Sequence, residues 1–443
     1  MPDPGASGRR EKQSQTAHRI TGRIPIIRVQ EGAGRTAMAD GRTMNGVDRR
    51  GLIAAMAGAM LPVPGWARAG DGHAALPFGN GERPLVRYPQ KRALIGLTAR
   101  PPQLETPLAL FDGPITPNDA FFVRYHLSDL PLDIDARRFR LALGGHVERP
   151  LSLSLAELKR DFPVQEIVAV NQCSGNGRGF FEPRVGGGQL GNGAMGNARW
   201  RGVPLRALLD RAGVRAGARQ VAFNGLDNPQ ANGIPDFIKA LDVDHARDGE
   251  VMVAWAMNGA DLPFLNGYPL RLVVPGHYGT YWIKHLHEIN VVDAAYDGYW
   301  MKTAYRIPDN DCACVAPGGK PDRTRPIGRL NIRSFLTSHM SGAQVAAGKP
   351  VALSGIAFDG GSGIARVDIS ADGGASWRQA ELGEDLGRYS FRSWRSAQRL
   401  APGRHRMLVR ATGRSGEVQP FDPLWQPAGY MRNVVEAVEV VAL

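Results

Sequence analysis

The stretch Ala169-Val-Asn-Gln-Cys-Ser-Gly-Asn-Gly-Arg178 joins an apolar run to a loop that contains two glycines. The run Ile167–Val170 predicts a short buried strand, and the glycines let the following backbone turn tightly around a large group. Cys173 lies at the start of this loop, five residues before Arg178. Because a nearby guanidinium favours the thiolate, which binds soft metals, the loop predicts a metal ligand beside an anion site. The alternative is that Cys173 is a small buried hydrophobic residue.

The other cysteines offer little further metal or redox chemistry. The chain has three cysteines, and Cys312 and Cys314 are separated by one residue. A disulfide at this spacing would be strained and would close almost no loop, so we expect none. The sequence contains neither a Cys-x-x-Cys-His haem attachment motif nor paired Cys-x-x-Cys zinc motifs. We therefore expect no haem in this chain, and any redox chemistry needs another cofactor.

The net charge of +12 is divided between a basic leader and a larger remainder. Residues 1–69 hold 11 Lys and Arg against 5 Asp and Glu, a net of +6, which leaves +6 on the other residues. Those charges are scattered and form no basic run interleaved with aromatic residues, so we expect no nucleic-acid partner. A small anionic substrate fits this distribution better.

Residues 1–69 are typical of an export leader. Arg49-Arg50 precedes the uncharged stretch 51–63, and Ala67-Arg-Ala69 is a small-x-small cleavage pattern. This combination predicts a twin-arginine signal, with Met44 as a candidate start. The apolar stretch is shorter than the about 20 residues that span a bilayer, so we expect no membrane anchor. The mature protein is then periplasmic and exported in the folded state.

The mature part of the sequence divides into two regions with different patterns of strands and helices, which predicts two domains. Residues 70–118 are expected to be an extended segment, and short strands alternate with short helices up to residue 325, which predicts an α+β domain over 70–325. A capping box at Ser154 and an apolar face that ends at Gly213 mark two of its helices. Over 326–443, short strands separated by Gly-rich turns predict an immunoglobulin-like β-sandwich.

Further cations and a phenol lie in the loops and strand ends of the first domain. Phe121-Phe-Val-Arg-Tyr-His126 places Arg124 and His126 on one face of an extended segment. Arg271 follows Leu270 in a buried strand, Lys284 lies in Tyr281-Trp-Ile-Lys-His285, and Tyr305 closes Tyr299-Trp-Met-Lys-Thr-Ala-Tyr305. These segments supply positive charge around the cysteine loop.

Together these segments resemble the sulfite oxidase family of molybdenum enzymes, and most closely its bacterial periplasmic sulfite dehydrogenases. The resemblance covers about residues 85–443. Besides the segments already quoted, it is carried by Gly191-Asn-Gly-Ala-Met-Gly-Asn-Ala-Arg-Trp200 and Asn266-Gly-Tyr-Pro-Leu-Arg-Leu-Val-Val-Pro-Gly276. It implies a sulfite oxidase-type molybdopterin-binding domain followed by a dimerisation domain of immunoglobulin type.

The resemblance also implies roles for individual residues. Cys173 matches the cysteine that binds molybdenum beside the molybdopterin dithiolene. Other residues match the substrate pocket and the cofactor-binding region of the family. The substrate-pocket matches are Arg124, Arg178 and Tyr305, and the cofactor-binding matches are Phe122, Arg124, His126, Asp227, Asn266, Arg271 and Lys284. Asn266 departs from the family pattern, because animal members have a histidine there.

The implied reaction is oxidation of sulfite to sulfate, with electrons passed to a c-type cytochrome or a small haem subunit. Three alternatives remain open: a sulfane-sulfur dehydrogenase of the same family, a methionine sulfoxide reductase of the same superfamily, and an exported binding protein without a cofactor. The methionine sulfoxide reductases lack the C-terminal sandwich. The sandwich is compatible with a homodimer or with a heterodimer that contains a haem subunit.

Overall fold

The computed structural model describes residues 72–443, and the predicted leader with its export signal lies outside them. The segment 70–118 was expected to be extended, but no strands were predicted in it. It contributes four strands to a five-stranded antiparallel sheet. These strands have three to five residues each, which is too short to show a clear hydrophobic period in the sequence. They are β1 (His73–Ala75), β2 (Glu82–Val86), β3 (Leu94–Thr98) and β4 (Gln103–Glu105), and β5 (Val123–Arg124) completes the sheet.

Two further sheets form the rest of the α+β region. The strands are β6 (Leu141–Gly145), β7 (Leu151–Leu153), β8 (Gln165–Gln172), β9 (Met195–Pro204), β10 (Gln220–Gly225), β11 (Lys239–Asp242), β12 (Met252–Met257), β13 (Ala260–Asp261), β14 (Arg271–Val273) and β15 (Leu286–Val292). One sheet has the order β11-β10-β15-β6-β7, with β15 and β6 parallel, and the other has the order β13-β12-β9-β8, with β14 also paired to β12. A hairpin of β16 (Arg306–Pro308) and β17 (Thr324–Pro326) follows. The predicted domain boundary after residue 325 falls within β17 of this hairpin. That boundary stays a prediction.

The helices are short and pack against strands of these two sheets. They are α1 (Leu155–Asp161), α2 (Leu205–Ala212), α3 (Val243–Arg247) and α4 (Tyr299–Lys302). The predicted capping box forms at α1, where Ser154 Oγ accepts from the Glu157 amide at 3.2 Å and the Glu157 carboxylate accepts from the Ser154 amide at 2.8 Å. Gly213 ends α2 in a left-handed conformation, as predicted. No helix among residues 72–443 has the length and apolar character needed to cross a bilayer.

The C-terminal residues form a sandwich of two sheets. The strands are β18 (Arg333–Leu336), β19 (Ala343–Val345), β20 (Pro350–Phe358), β21 (Ile364–Ser370), β22 (Arg378–Gln379), β23 (Glu381–Leu382), β24 (Arg392–Arg399), β25 (Gly403–Gly413) and β26 (Ala437–Ala442). One sheet has the order β18-β20-β24-β23 and the other β19-β26-β25-β21-β22. Trp394 and Val367, both fully buried, belong to the core between them. The immunoglobulin-like sandwich predicted from the turn spacing is thus confirmed.

The expectation that Cys312 and Cys314 remain unpaired was wrong. The two residues form a disulfide, and their Cα atoms are 5.1 Å apart. This separation lies within the usual range for bridged cysteines. It is reached because Ala313 adopts a left-handed conformation with φ of 50°, which folds the two cysteines toward each other. Sequence spacing alone does not reveal such a turn.

A buried ionic network connects the sandwich to the cysteine loop. Arg333 on β18 donates to the side chains of Asn192 at 2.6 Å and Glu436 at 2.8 Å, and to the carbonyl of Asn176 at 3.4 Å. Burial by itself would raise the pKa of Glu436, but Arg333 and Arg432 outweigh it and lower that pKa. Two loops of the first domain are therefore fixed by a charge pair of the second.

Glu105 on β4 supports the loop that contains Asn192, and it makes the free energy of unfolding depend on pH. Its carboxyl accepts from the amides of Gly191 at 3.1 Å and Gly193 at 3.3 Å, and burial raises its pKa from 4.5 to about 7. The folded state therefore keeps a proton that the unfolded chain releases near pH 4.5, so this group stabilises the fold least above pH 7. We expect the free energy of unfolding of the wild type, relative to Glu105→Gln, to fall by about 3 kcal/mol between pH 4.5 and pH 8.

Urea unfolding of both proteins at the two pH values measures this difference. Glu381→Gln, which removes an exposed carboxyl, is the control and should show a difference from the wild type that hardly changes with pH. A relative stability of Glu105→Gln that stayed constant from pH 4.5 to pH 8 would contradict the raised pKa.

Candidate active site

The cysteine loop begins directly after β8. Its first residue, Cys173, is 8% exposed, and its amide donates to the Ala194 carbonyl at 2.9 Å, so a main-chain bond to the residue before β9 fixes its position. A Cβ at Gly175 would lie 2.7 Å from a terminal nitrogen of Arg178, so a larger residue here would displace that guanidinium. The loop thus holds the thiol at the end of a buried strand with a guanidinium close to its backbone.

One cleft gathers nearly all of the residues singled out in the sequence. Its lining includes the predicted residues Phe122, Arg124, His126, Cys173, Asp227, Asn266, Arg271, Lys284 and Tyr305. They come from segments far apart in the chain, which the ends of β5, β8 and β14 and the loops after β10 and α4 bring together. Arg178 is the one predicted residue outside this lining.

Arg178 lies beside the cleft on an aromatic pair. Its guanidinium is 4.9 Å from the ring centroid of Tyr430, and Tyr430 stacks on Tyr305 with ring centroids 5.1 Å apart. Arg178 Nε donates to the Ala428 carbonyl at 3.1 Å and a terminal nitrogen to the Gly188 carbonyl at 3.3 Å. The guanidinium is therefore oriented by the C-terminal segment as well as by its own loop.

Tyr305 is held in an uncommon backbone conformation. Its φ of 57° lies in the left-handed region, which bulky residues rarely adopt outside functional sites. Its hydroxyl is hydrogen-bonded to His126 Nε2, and the His126 ring stacks on Phe237 at 3.8 Å between centroids. Burial raises the pKa of Tyr305, so the phenol stays protonated at neutral pH. Burial, with Arg124 nearby, lowers the pKa of His126 well below its usual value, so the imidazole is neutral.

The inner part of the cleft carries more positive than negative charge. Burial lowers the pKa of Lys284 to about 7, although Asp227 opposes this, and lowers that of Arg271 to about 9. Lys284 Nζ donates to the Arg124 carbonyl at 2.6 Å and lies 4.0 Å from the ring centroid of Tyr125. Burial also raises the pKa of Asp227, which weakens its role as a counter-ion. A bound anion would stabilise the charged forms of these two cations.

Known proteins match both parts of this chain. Residues 127–300 match the oxidoreductase molybdopterin binding domain, and residues 324–442 match the Mo-co oxidoreductase dimerisation domain. The chain is 34% identical over 336 residues to sulfite oxidase of Gallus gallus, which covers 72% of this chain and 71% of that protein. The chain belongs to the sulfite oxidase family. Its fold is thus a molybdopterin-binding domain followed by the family's dimerisation domain.

Two further relatives extend the comparison. Mitochondrial sulfite oxidase of Mus musculus is 33% identical over 378 residues and covers 81% of this chain, which spans 66% of the length of that protein. The structure is also similar to that of the sulfane dehydrogenase SoxCD from Paracoccus pantotrophus, with a TM-score of 0.68 and 26% identity, over 84% of this chain and 92% of the other. The chain is therefore similar in sequence to sulfite oxidases and in structure to a sulfane dehydrogenase.

The buried polar atoms of the cleft fit the family's molybdopterin cofactor. Within the described residues, the side-chain polar atoms of Asn171, Ser174 and Thr280 are buried and have no hydrogen-bond partner, and neither has Nε of Arg271. All four side chains line the cleft. Unpaired buried polar groups are costly, so a ligand that offers both donors and acceptors would complete them. A pterin ring with a phosphate has this character, and the cations of the cleft suit its charge.

Asn266 is already engaged within the protein. Its Oδ1 accepts from Lys91 Nζ, and its Nδ2 donates to the Phe122 carbonyl at 3.0 Å. Burial lowers the pKa of Lys91 to about 7. Both ends of the amide thus have protein partners, so Asn266 joins Phe122 in the cleft wall to Lys91 behind it. Its predicted contact with the pterin stays a prediction.

Three site residues were missed in the sequence. Tyr430 comes from the second domain, in which the sequence predicted no site residue, and no motif surrounds it. Phe237 stacks on His126, and Lys239 is fully buried, with Nζ 5.4 Å from the ring centroid of Tyr305. Lys239 could have been found, because a lysine between apolar residues of a short strand is unusual. Tyr430 offered no comparable signal.

Proposed function

We propose that this protein oxidises sulfite to sulfate at a molybdenum–molybdopterin centre and passes the electrons to a c-type cytochrome. The observation that supports this most strongly is the position of Cys173, whose thiol lines the same cleft as Arg124, Lys284 and Tyr305. When bound, the molybdenum centre would supply the oxygen atom and accept two electrons. Cys173 would be its protein ligand, and Arg271, Lys284 and Asp227 would hold the pterin and its phosphate.

The protein side chains would bind and orient the oxyanion. A guanidinium about 4 Å from one negative charge contributes roughly 4 kcal/mol at an effective dielectric constant of 20, before desolvation is subtracted. Arg124 is suited to this role from within the cleft, and Arg178 from its edge. Because a guanidinium binds oxyanions through a planar fork, two of them also fix the direction in which the sulfur lone pair points. The protonated Tyr305, which His126 holds in place, can donate a hydrogen bond to an oxygen of the substrate.

A second candidate is oxidation of sulfane sulfur bound to a carrier. It is favoured by the structural similarity to the sulfane dehydrogenase SoxCD, which extends over 92% of that chain. The same cationic cleft would then bind the product rather than the substrate as an oxyanion.

Export by the twin-arginine route, a periplasmic location, and a homodimer or a heterodimer with a haem subunit are also part of the proposal.

Steady-state assays of the purified full chain distinguish these functions. We expect sulfite to reduce oxidised cytochrome c, and metal analysis to find about one molybdenum per chain. Reduction of cytochrome c by a persulfide-bearing carrier protein, but not by sulfite, would replace the proposal by the second candidate. A protein purified from molybdenum-replete cells that contained no molybdenum would support a binding protein instead.

A further inference from the structure

The disulfide between Cys312 and Cys314 lies in the part of the chain to which neither family match extends, since one ends at residue 300 and the other begins at residue 324. We propose that it is a thiol–disulfide exchange site that accepts a small zwitterionic thiol of amino-acid type. The proposal is independent of sulfite oxidation and needs no metal. It depends on the loop that carries the disulfide and on the cavity beside it.

The disulfide contributes little as a cross-link. It closes a loop of three residues, and the entropy that a disulfide removes from the unfolded chain decreases as the loop becomes shorter. The loop is also held without it. The side chain of Asn310 accepts from the Cys314 amide at 3.1 Å and donates to the Cys314 carbonyl at 2.8 Å, and the Val315 amide donates to the Trp425 carbonyl at 2.9 Å. Opening the disulfide would therefore leave Cys314 in place, which a reversible exchange requires.

The two sulfur atoms differ in access. Cys312 is exposed and lines a cavity of about 330 Å³, whereas Cys314 is half-buried and does not line it. Thiol–disulfide exchange begins when a thiolate attacks the accessible sulfur and the other sulfur leaves. The geometry thus makes Cys312 the sulfur that is attacked and Cys314 the leaving group.

The cavity is lined by side chains of positive and of negative charge and by apolar side chains. Its lining includes the guanidinium groups of Arg325 and Arg432 and the carboxylates of Glu182, Asp311 and Glu417, together with Cys312, and Phe181 and Leu424 provide apolar surface. Arg325 is paired only loosely, with Nε 3.8 Å from an Asp309 oxygen, and its side chain is 52% exposed. A cavity that offers both guanidinium groups and carboxylates beside an accessible sulfur matches a ligand with its own carboxylate and ammonium, and the volume suits a small molecule rather than a folded protein.

The proposed exchange balances without another reactant. The ligand thiolate attacks Cys312 Sγ, a bond forms between the two sulfurs, and the bond to Cys314 breaks. Cys314 leaves as a thiolate and takes a proton from water. When a second ligand thiol attacks the ligand sulfur of this mixed disulfide, the ligand leaves as a symmetrical disulfide. Two thiols are then oxidised, and the protein disulfide is reduced by the same two electrons to two thiols.

The test compares L-cysteine with the neutral 2-mercaptoethanol at equal thiolate concentration on the purified full chain. After acid quenching and alkylation, mass spectrometry locates the mixed disulfide. We expect it on Cys312, and we expect L-cysteine to react faster than 2-mercaptoethanol. Arg325→Gln should slow the reaction of L-cysteine by about two- to fivefold, the usual range for a partly exposed charge contact, and leave that of 2-mercaptoethanol unchanged.

A matched control lies two residues away. Arg323 also pairs with Asp309, at 3.9 Å, but its side chain is 81% exposed and does not line the cavity. Arg323→Gln should therefore react like the wild type with both thiols. The proposal would be overturned by a disulfide that neither thiol opens, by a mixed disulfide formed mainly on Cys314, or by equal slowing in both arginine variants.

Discussion

Replacing Cys173 by serine is expected to abolish sulfite oxidation while the fold persists. Removing a residue that only supports a metal ligand typically costs 10- to 100-fold in metal affinity or activity, so losing the ligand itself should cost more than about 100-fold. The fold should persist because the hydrogen bonds that place this residue come from its backbone, including the 2.9 Å bond to Ala194. Serine keeps the side-chain shape but offers a hard oxygen in place of a soft sulfur.

Molybdenum content, turnover of sulfite and urea unfolding are measured on the same preparations of wild type, Cys173→Ser and Cys173→Ala. Both variants should be inactive, and their unfolding midpoints should stay close to that of the wild type. If the alanine variant were inactive but the serine variant kept near-normal turnover, the sulfur atom itself would not be the requirement. Near-normal turnover in both would remove Cys173 from the site.

The candidate site could be predicted from the sequence as far as its residues lie in short motifs. Cys173, Arg124 and Lys284 lie in segments whose glycines, apolar flanks and residue types carry recognisable information, and the structure brings these segments to one cleft. Tyr430 could not be found in this way. Its contacts with Arg178 and Tyr305 arise because a loop of the sandwich folds back onto the first domain. Such a contact depends on the relative positions of two domains, which local sequence patterns do not encode.

The errors in the fold have a related cause. The strands between residues 73 and 105 are too short to show a period of two, and their pairing with one another is what makes them strands. The disulfide between Cys312 and Cys314 depends on the left-handed backbone of Ala313, a residue type that rarely adopts it. By contrast, the capping box at Ser154 and the glycine at the end of α2 were predictable, because their hydrogen bonds form between residues close in sequence.

Replacing Arg178 by glutamine is expected to have the second-largest effect on sulfite oxidation. The guanidinium is buried, and protein carbonyls and the ring of Tyr430 fix its orientation before substrate arrives. Truncating one partner of a buried, hydrogen-bonded charge pair costs about 2–5 kcal/mol, so kcat/KM for sulfite should fall by at least about 30-fold. Because the residue both attracts and orients the oxyanion, KM should rise and kcat should fall.

Steady-state kinetics with sulfite separate this role from a purely structural one. Arg184→Gln removes an exposed arginine from the adjoining loop and should leave both kinetic constants near those of the wild type. Arg178→Lys keeps the charge but not the planar fork, so it should recover part of the lost affinity and little of the lost turnover. Full recovery of kcat in the lysine variant would show that Arg178 acts through charge alone. Unchanged kinetics in Arg178→Gln would place the oxyanion with Arg124 only, and Arg178 would then be a residue that joins the cysteine loop to Tyr430.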